Sequence, residues 1–229
     1  MLIMKAQEVF NIVANKYDLM NDVMSVGAHR YWKECMIDWL APFAGMKIID
    51  VAGGTGDVSF RFLKRVNGQG EAIVCDPNNL MTEHGKKKNQ FAHNIEWITA
   101  PAEKLPFENS SFDAYLVSFG VRNFDDIKKS LDEAYRVLKV GGRFICLEFS
   151  KVQNQELSKL YSVYSKMIPI FGKIIVGDEK PYKYLTRTIE NFPSQEKFKK
   201  MIEGSNFSNV EFRNLFNGVV AIHSGWKES

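Results

Sequence analysis

Cysteine is scarce in this sequence, which contains only Cys35, Cys75 and Cys146 and no CxxC pair. An odd number of cysteines without that spacing gives no closed disulfide framework and is typical of a reducing compartment. The first residues, MLIMKAQEVF, lack the basic segment and apolar run of a secretory signal. We therefore predict a cytoplasmic protein, and we assign no metal site.

Long hydrophobic runs are also missing. The most apolar stretch, Met167 to Gly177, is interrupted by Lys173 and is about half the roughly 20 residues that a membrane-spanning helix needs. We predict no segment that crosses a bilayer.

The sequence has little excess charge of either sign. Its 30 Lys and Arg residues face 27 Asp and Glu residues, for a net charge of +3. A dedicated nucleic-acid-binding protein usually carries a larger basic excess, so we expect no nucleic-acid partner.

Short β-rich runs alternate with helical stretches from residue 46 to residue 150, which predicts an α/β protein with a parallel sheet. Several runs are continuously apolar, as in strands that are covered on both faces. The predicted strands are Lys47–Ala52, Glu71–Cys75, Ile95–Thr99, Asp113–Phe119 and Gly142–Phe149. The residues Asp125–Lys139 are predicted to form a helix, with Gly141 and Gly142 as its stop.

The flanking residues do not follow this alternation. We predict one domain over residues 1–229, with a helical lid at 1–45, a cofactor-binding core at 46–150, a helical cap at 151–205 and a β-hairpin at 206–229. The hairpin joins Asn209–Leu215 to Gly218–His223 through an Asn-Gly turn.

The predicted first strand runs into the glycine-rich loop Gly53–Asp57. Such a loop either makes a tight turn with no ligand or lets the backbone approach one. Asp76 ends the second strand, 76 − 56 = 20 residues after Gly56, where a carboxylate can accept both hydroxyl hydrogens of a ribose. These residues indicate a nucleoside ligand.

Two details favour S-adenosylmethionine over a nicotinamide dinucleotide. The third position of a G-x-G-x-x-G fingerprint is Ser59 when Gly54 and Gly56 are taken as the first pair. Asp57 would also repel a pyrophosphate at the helix start, whereas S-adenosylmethionine is cationic there. The alternative for Asp57 is a plain helix N-cap.

Four segments together resemble the ubiquinone/menaquinone biosynthesis C-methyltransferase family, a branch of the class I S-adenosylmethionine-dependent methyltransferases. They are YDLMNDVMSVGAHRYW at 17–32, AGGTGD at 52–57, SFGVRN at 118–123 and RVLKVGGRFICLEFS at 136–150. The resemblance covers nearly the whole chain. It implies a Rossmann-like sheet of seven strands with a terminal antiparallel hairpin, and methyl transfer to a ring carbon of a polyprenylated benzoquinol or of demethylmenaquinol.

The resemblance also implies where the cofactor S-adenosylmethionine binds. Its expected contacts are Asp50, Gly53, Gly54, Thr55, Gly56, Asp76, Pro101, Ala102 and Ser118. One position departs from the family: Pro101 stands where the family usually has Asp or Asn, so its side chain cannot bond the adenine amine.

For catalysis we propose Arg122 and Asn123, which follow the fourth strand, together with Tyr17 and His29 of the leading segment. Because arginine stays protonated, we assign Arg122 to electrostatic stabilisation of a quinol oxygen or to orienting a water molecule. The alternative is a surface arginine paired with Asp125 or Asp126. His29 titrates near neutrality and could act as a base, although a lone histidine is more often structural.

A prenyl tail requires apolar surface, which residues 157–176 could supply as a channel or as a peripheral contact with an anionic membrane surface. Core packing of a helical cap explains the same pattern. A homodimer or a quinone-biosynthesis complex, methylation of another small phenolic or hydrophobic acceptor, and a non-catalytic cofactor-binding scaffold all remain open.

Overall fold

The computed structural model describes residues 22, 25, 27–88, 94–152 and 180–229. Its seven strands form one sheet in the order β3-β2-β1-β4-β5-β7-β6. Every neighbouring pair from β3 to β5 is parallel, and β7 is antiparallel to both β5 and β6. The predicted seven-stranded sheet is confirmed. The strands are β1 Met46–Val51, β2 Gly70–Cys75, β3 Ile95–Ile98, β4 Phe112–Ser118, β5 Leu138–Phe149, β6 Ser208–Leu215 and β7 Val220–Trp226.

Six α-helices are present in the described residues, and they cover both faces of the sheet. On one face the core contains residues of α1, α2 and α5, and on the other it contains residues of α4 and α6. This two-sided burial explains why the strands are continuously apolar. The helices are α1 Ala28–Leu40, α2 Asp57–Arg65, α3 Asn79–Lys88, α4 Ile127–Val137, α5 Lys180–Asn191 and α6 Gln195–Glu203.

The part of the predicted lid that the structure describes includes a core helix. Trp32, Met36 and Ile37 of α1 are at most 3% exposed and pack in the same cluster as the sheet. The lid and cap boundaries otherwise stay predictions, because most of residues 1–26 and all of 153–179 lie outside the described residues.

Helix α4 is two residues shorter than predicted at each end. Asp126 caps its start by accepting a hydrogen bond from the backbone N–H of Lys129. The prediction that Gly141 and Gly142 stop the helix is wrong, because β5 already begins at Leu138. Leu138 pairs with Phe112 of β4, and Lys227 Nζ donates to the Leu138 carbonyl at 2.8 Å. Leu138 and Lys139 therefore belong to strand β5 and not to the helix.

The terminal hairpin forms as predicted, with different strand limits. Asn217 and Gly218 have φ angles of 54° and 91°, the left-handed values that an Asn-Gly pair tolerates. Strand β7 begins at Val220 and extends to Trp226 because its ladder with β5 continues to the pair Arg143 and Trp226.

The strand order of the sheet changes direction between β1 and β4, which lie side by side, and this is where a ligand site is expected. The chain leaves β1 toward β2 and β3, and then returns to β4 and continues in the opposite direction. Open α/β sheets bind ligands at the carboxyl ends of such neighbouring strands. Both ends are followed by a non-glycine residue in the left-handed region, Ala52 (φ 52°) and Phe119 (φ 57°), and such strained backbone clusters at functional sites.

Candidate active site

The loop after β1 needs glycine for two different reasons. Gly54 and Gly56 have φ angles of 56° and 75°, which disfavour any side chain. A β-carbon on Gly53 would instead lie 2.8 Å from the carbonyl oxygen of Asp50 and 2.9 Å from Val74 Cγ1. The loop backbone is therefore packed directly against the ends of β1 and β2.

Asp76 connects this loop to the end of β2. One carboxylate oxygen accepts from the N–H of Gly54 at 2.9 Å, and the other accepts from the N–H of Asn78 at 2.8 Å. Burial raises the pKa of Asp76 to about 6, although both N–H donors lower it. Each oxygen retains a second lone pair, so the carboxylate can still accept the two hydroxyl hydrogens of a ribose.

Two buried oxygens at the ends of β1 and β4 have no hydrogen-bond partner among the described residues. They are Oδ1 of Asp50 and Oγ of Ser118. The second oxygen of Asp50 accepts from the backbone N–H and the hydroxyl of Ser59, at 3.1 and 2.9 Å. Because a buried polar atom without a partner costs about 1–3 kcal/mol, these atoms fit a site completed by a polar ligand. They are consistent with S-adenosylmethionine, whose ammonium group can donate to Asp50.

Asp57 does not cap helix α2, contrary to the N-cap alternative. Gly56 is the N-cap, and the Asp57 carboxylate accepts from Lys33 Nζ at 2.9 Å and from Arg61 Nε at 3.1 Å. Burial would raise the pKa of Asp57, but these two cations outweigh it and lower the pKa to about 2. Its negative charge is therefore paired within the protein. Sequence reasoning missed Lys33, because α1 and α2 meet only through the tertiary fold.

Arg122 lies at the carboxyl end of the sheet as predicted, but it pairs with neither Asp125 nor Asp126. Its Nη1 atom donates to Glu148 Oε1 and to the carbonyl oxygen of Phe119, each at 2.6 Å. The two side chains are 5% and 1% exposed, respectively, and the guanidinium lies over the ring of Phe149. Arg122 thus contributes a fixed cation within a buried ion pair.

Asn123 ends the short 3₁₀ turn Val121–Asn123 that follows β4. Its Oδ1 atom accepts from the hydroxyl of Tyr184 on α5, at 3.1 Å. Sequence reasoning missed Tyr184, which lies 61 positions along the chain. The signal that could have found it is the pair of tyrosines in KPYKYL at 180–185, within the predicted cap.

His29 lies on α1, four residues before Lys33, and is 6% exposed. Its Nε2 atom is 2.9 Å from Asp22 Oδ1, and Nδ1 has no partner among the described residues. Burial lowers the pKa of His29, although Asp22 opposes this effect, so the ring is mostly neutral at pH 7. Tyr17, the remaining predicted catalytic residue, lies outside the described residues.

The remaining predicted cofactor residues lie around the same edge. Thr55 is 4% exposed within the glycine loop, and Ala102 is 3% exposed beyond β3. Pro101 is exposed, and its carbonyl oxygen accepts from the N–H of Lys104.

An aromatic cluster lies beside Arg122, whose guanidinium is over the ring of Phe149. The rings of Trp32 and Phe149 are 6.1 Å apart, and those of Phe119 and Phe149 are 4.9 Å apart. Phe216, in the turn before β7, contacts Trp32 at 5.6 Å and is 57% exposed. Trp32, Phe119 and Phe149 are buried in the core, and Phe216 is the exposed ring of this cluster.

A depression of about 280 Å³ lies at the opposite end of the strands. It is lined by the amino-terminal ends of β1 and β5 and by Trp226, far along the strands from the glycine loop. It is not part of the site described above.

The strand order, the glycine loop and the acid after β2 together define a class I methyltransferase. The ubiE/COQ5 methyltransferase family model matches residues 3–227, and the chain belongs to that family.

Similar proteins agree with this assignment. The ubiquinone/menaquinone biosynthesis C-methyltransferase UbiE of Ruegeria sp. is 52% identical over 227 residues, which cover 97% of this chain and 90% of the relative. The mitochondrial 2-methoxy-6-polyprenyl-1,4-benzoquinol methylase of Bos taurus is 45% identical, with 97% of this chain and 79% of the relative covered. A crystal structure of a SAM-dependent methyltransferase from Thermotoga maritima shares the fold, with a TM-score of 0.67, 20% identity, and coverage of 96% of this chain and 99% of that one.

Proposed function

We propose that this enzyme transfers a methyl group from S-adenosylmethionine to a ring carbon of a polyprenylated benzoquinol or of demethylmenaquinol, in ubiquinone and menaquinone biosynthesis. The single observation that carries this proposal is 52% identity over 97% of the chain to a C-methyltransferase of that pathway. The geometry of the site supports it on both the cofactor side and the acceptor side.

On the cofactor side, we assign the ribose hydroxyls to Asp76 and the ammonium group to the unpartnered oxygen of Asp50. Ser118, Thr55, Ala102 and the loop glycines complete the proposed contacts. When bound there, S-adenosylmethionine would supply a methyl group from its positively charged sulfur and would be left as a neutral thioether, and the methylated ring carbon would lose its hydrogen as a proton. Pro101 offers no side-chain bond to adenine, so other groups must recognise that ring.

On the acceptor side, the protein has to make a ring carbon electron-rich. A quinol hydroxyl has a pKa of roughly 10, like that of tyrosine, so groups that stabilise its anionic form lower the barrier at neutral pH. We assign this role to the cation of Arg122 and to the amide of Asn123, next to the cluster of Trp32, Phe119 and Phe149. Tyr17 and His29 remain proposed members of this site.

The direct test is the mass of the product. Purified protein is incubated with S-adenosylmethionine and either a reduced prenylated benzoquinone or a reduced prenylated naphthoquinone, and the products are analysed by mass spectrometry. We expect one added methyl group on a ring carbon. Methylation of a simple phenol but of neither quinol would favour the other-acceptor alternative, and cofactor binding without any methylated product would favour the scaffold.

We also propose peripheral contact with an anionic membrane surface and assembly as a homodimer or in a quinone-biosynthesis complex. No helix in the described part of the chain is long and apolar enough to span a bilayer. Residues 157–176, on which the membrane prediction depends, lie outside that part. Flotation with anionic and neutral liposomes tests the first proposal, and light scattering tests for the dimer.

A further inference from the structure

Helix α5 contacts the acceptor side of the site through one tyrosine. The hydroxyl of Tyr184 donates to Oδ1 of Asn123 at 3.1 Å, which links α5 to the turn that follows β4. This contact joins two segments that lie far apart in the sequence, and both side chains are only partly buried. Tyr184 is thus bonded to Asn123, the residue whose amide we assign to binding the acceptor.

The hydrogen-bonding capacity of Asn123 shows what this contact does. An asparagine amide has one oxygen that accepts and one nitrogen that donates twice. Because Tyr184 uses the oxygen, the orientation of the amide is defined and its nitrogen points away from that bond. The two donor hydrogens have no acceptor among the contacts of the described residues.

Arg122 is held by the protein on its Nη1 side. Its Nη1 atom is already bonded to Glu148 and to the Phe119 carbonyl, and its positive charge is balanced by a carboxylate that is 1% exposed. Arg122 Nε also lacks an acceptor, but it is a buried atom. The Asn123 nitrogen is a second donor here that has no protein acceptor among the described residues. An oxygen that gains negative charge requires such a donor.

The state of the tyrosine agrees with this arrangement. Burial raises the pKa of Tyr184, and Asp125 also raises it, whereas Arg122 lowers it. The hydroxyl therefore stays protonated at neutral pH and acts as a donor to Asn123.

We infer that Tyr184 is a positioning residue for methyl transfer, because its hydroxyl fixes the Asn123 amide with the nitrogen directed to donate to the ring oxygen of a phenolic acceptor. This inference rests on the proposed function. Tyr184 itself acts only through Asn123.

The test is a double-mutant cycle on methyl transfer to the quinol that the wild-type protein methylates. We expect Asn123→Ala to lower kcat about 100-fold, as for the loss of one donor to a developing oxyanion. Tyr184→Phe should lower kcat about 5- to 10-fold, as for the loss of one hydrogen bond. In the Asn123→Ala background, Tyr184→Phe should have no further effect. Losses that multiply in the double variant would overturn the inference.

Two further variants separate positioning from packing. Asn123→Asp keeps an oxygen for Tyr184 but removes the donor, so it should be as slow as Asn123→Ala, and wild-type activity would overturn the inference. Tyr182→Phe is the matched control on the same helix, because the buried Tyr182 hydroxyl has no partner among the described residues. It should retain the wild-type rate, and an equal loss in both tyrosine variants would show a general effect of helix packing.

Affinity for S-adenosylhomocysteine, measured by calorimetry, should be unchanged in every variant, and a parallel loss of affinity would contradict a role at the acceptor. If the wild-type protein methylates no quinol, both the proposed function and this inference fail. If the wild-type protein is active and Tyr184→Phe matches it, only the inference fails.

Discussion

Two carboxyl groups at the cofactor side titrate close to physiological pH. Burial raises the pKa of Asp50 to about 7 and that of Asp76 to about 6. Since the folded state binds these protons more tightly than the unfolded chain does, the two groups reduce stability as the pH rises from about 4 to 7. A bound ammonium group and bound ribose hydroxyls reverse this preference, because both interact best with ionised carboxylates.

We therefore predict that affinity for S-adenosylhomocysteine rises by at least about 10-fold between pH 5 and pH 8, because each pKa unit corresponds to a factor of ten in protonation. Calorimetry across this range measures the rise. Asp76→Asn and Asp50→Asn should each weaken binding and flatten part of the curve. Lys33 and Asp57 also influence Asp50, in opposite directions. An affinity that does not depend on pH in the wild-type protein would refute the assignment of both carboxylates.

Arg122 and Glu148 are best tested as a pair. Removing Arg122 alone would leave a buried unpaired carboxylate, at a cost of about 3–5 kcal/mol in stability. We predict that Arg122→Gln with Glu148→Gln lowers the methyl-transfer rate about 100-fold while S-adenosylhomocysteine affinity changes less than about 2-fold. Single-turnover rates and calorimetry measure the two effects. Glu148→Gln alone keeps the cation but leaves it buried and unpaired, so its free energy of unfolding is measured beside its rate. In the double variant, equal losses of rate and affinity would exclude a role for Arg122 at the acceptor.

Individual site residues could be located from the sequence because they follow predicted strands. The glycine loop, Asp76 and Ser118 lie at one edge for that reason. Their partners could not be predicted, because those partners belong to other elements. Glu148 reaches Arg122 from the adjacent strand β5, whereas Asp125 and Asp126 were suggested only by their closeness in the sequence.

At the scale of elements, β3 packs against the start of α2 through the ring of Trp97. A β-carbon on Gly56, the N-cap of α2, would lie 2.7 Å from the ring of Trp97. Gly68 has nearly the same φ angle, 77°, but a β-carbon there would meet no atom within 4 Å, so this position isolates the cost of the backbone conformation.

We predict that Gly68→Ala lowers the free energy of unfolding by about 1–2 kcal/mol through left-handed strain alone. Gly56→Ala should lower it by about 1–3 kcal/mol more, because the methyl group also displaces Trp97. Urea denaturation measures both values. Equal losses would mean that Trp97 moves aside without cost.

Helices α1 and α2 are joined by the ion pair of Lys33 and Asp57. The folded pKa of Asp57, about 2, is below its usual value, so its contribution to stability is present above about pH 4 and is lost as the pH falls toward 2. We predict that Lys33→Met lowers stability at pH 7 by about 2 kcal/mol and that the difference from wild type shrinks between pH 4 and pH 2.

Denaturation at several pH values checks this prediction. Lys64→Met, which removes an exposed lysine of α2, is the control and should change little. A difference between Lys33→Met and wild type that stays constant down to pH 2 would show that the stem of Lys33, rather than its charge, holds the two helices together.

Element boundaries show why periodicity alone was insufficient. The helical pattern of Asp125–Lys139 correctly located α4, but its end depends on strand pairing of Leu138 with Phe112 and on Lys227. Glycines at 141 and 142 suggest a helix stop, yet here they belong to the strand. The sequence pattern contains no information on such distant partners.

At the scale of the whole molecule, the choice of cofactor can be tested by ligand-induced stabilisation. A ligand at 100 times its Kd stabilises the folded state by about 2.7 kcal/mol, or about 5–10 °C in Tm for a chain of this size. We predict such a shift with S-adenosylhomocysteine and none with NADH at the same concentration. A shift with the dinucleotide alone would exclude the methyl-donor assignment.

The position of β7 affects how the fold can assemble. Of the seven strands, β7 is the last to be synthesised, but it lies between β5 and β6 in the sheet. The backbone of Lys227, just beyond β7, forms hydrogen bonds with the backbone of Gly141 and Gly142. Strand β6 has no neighbour in the sheet until β7 is inserted. During synthesis, therefore, the β6 edge and the start of β5 can reach their final arrangement only after residues 220–227 have left the ribosome.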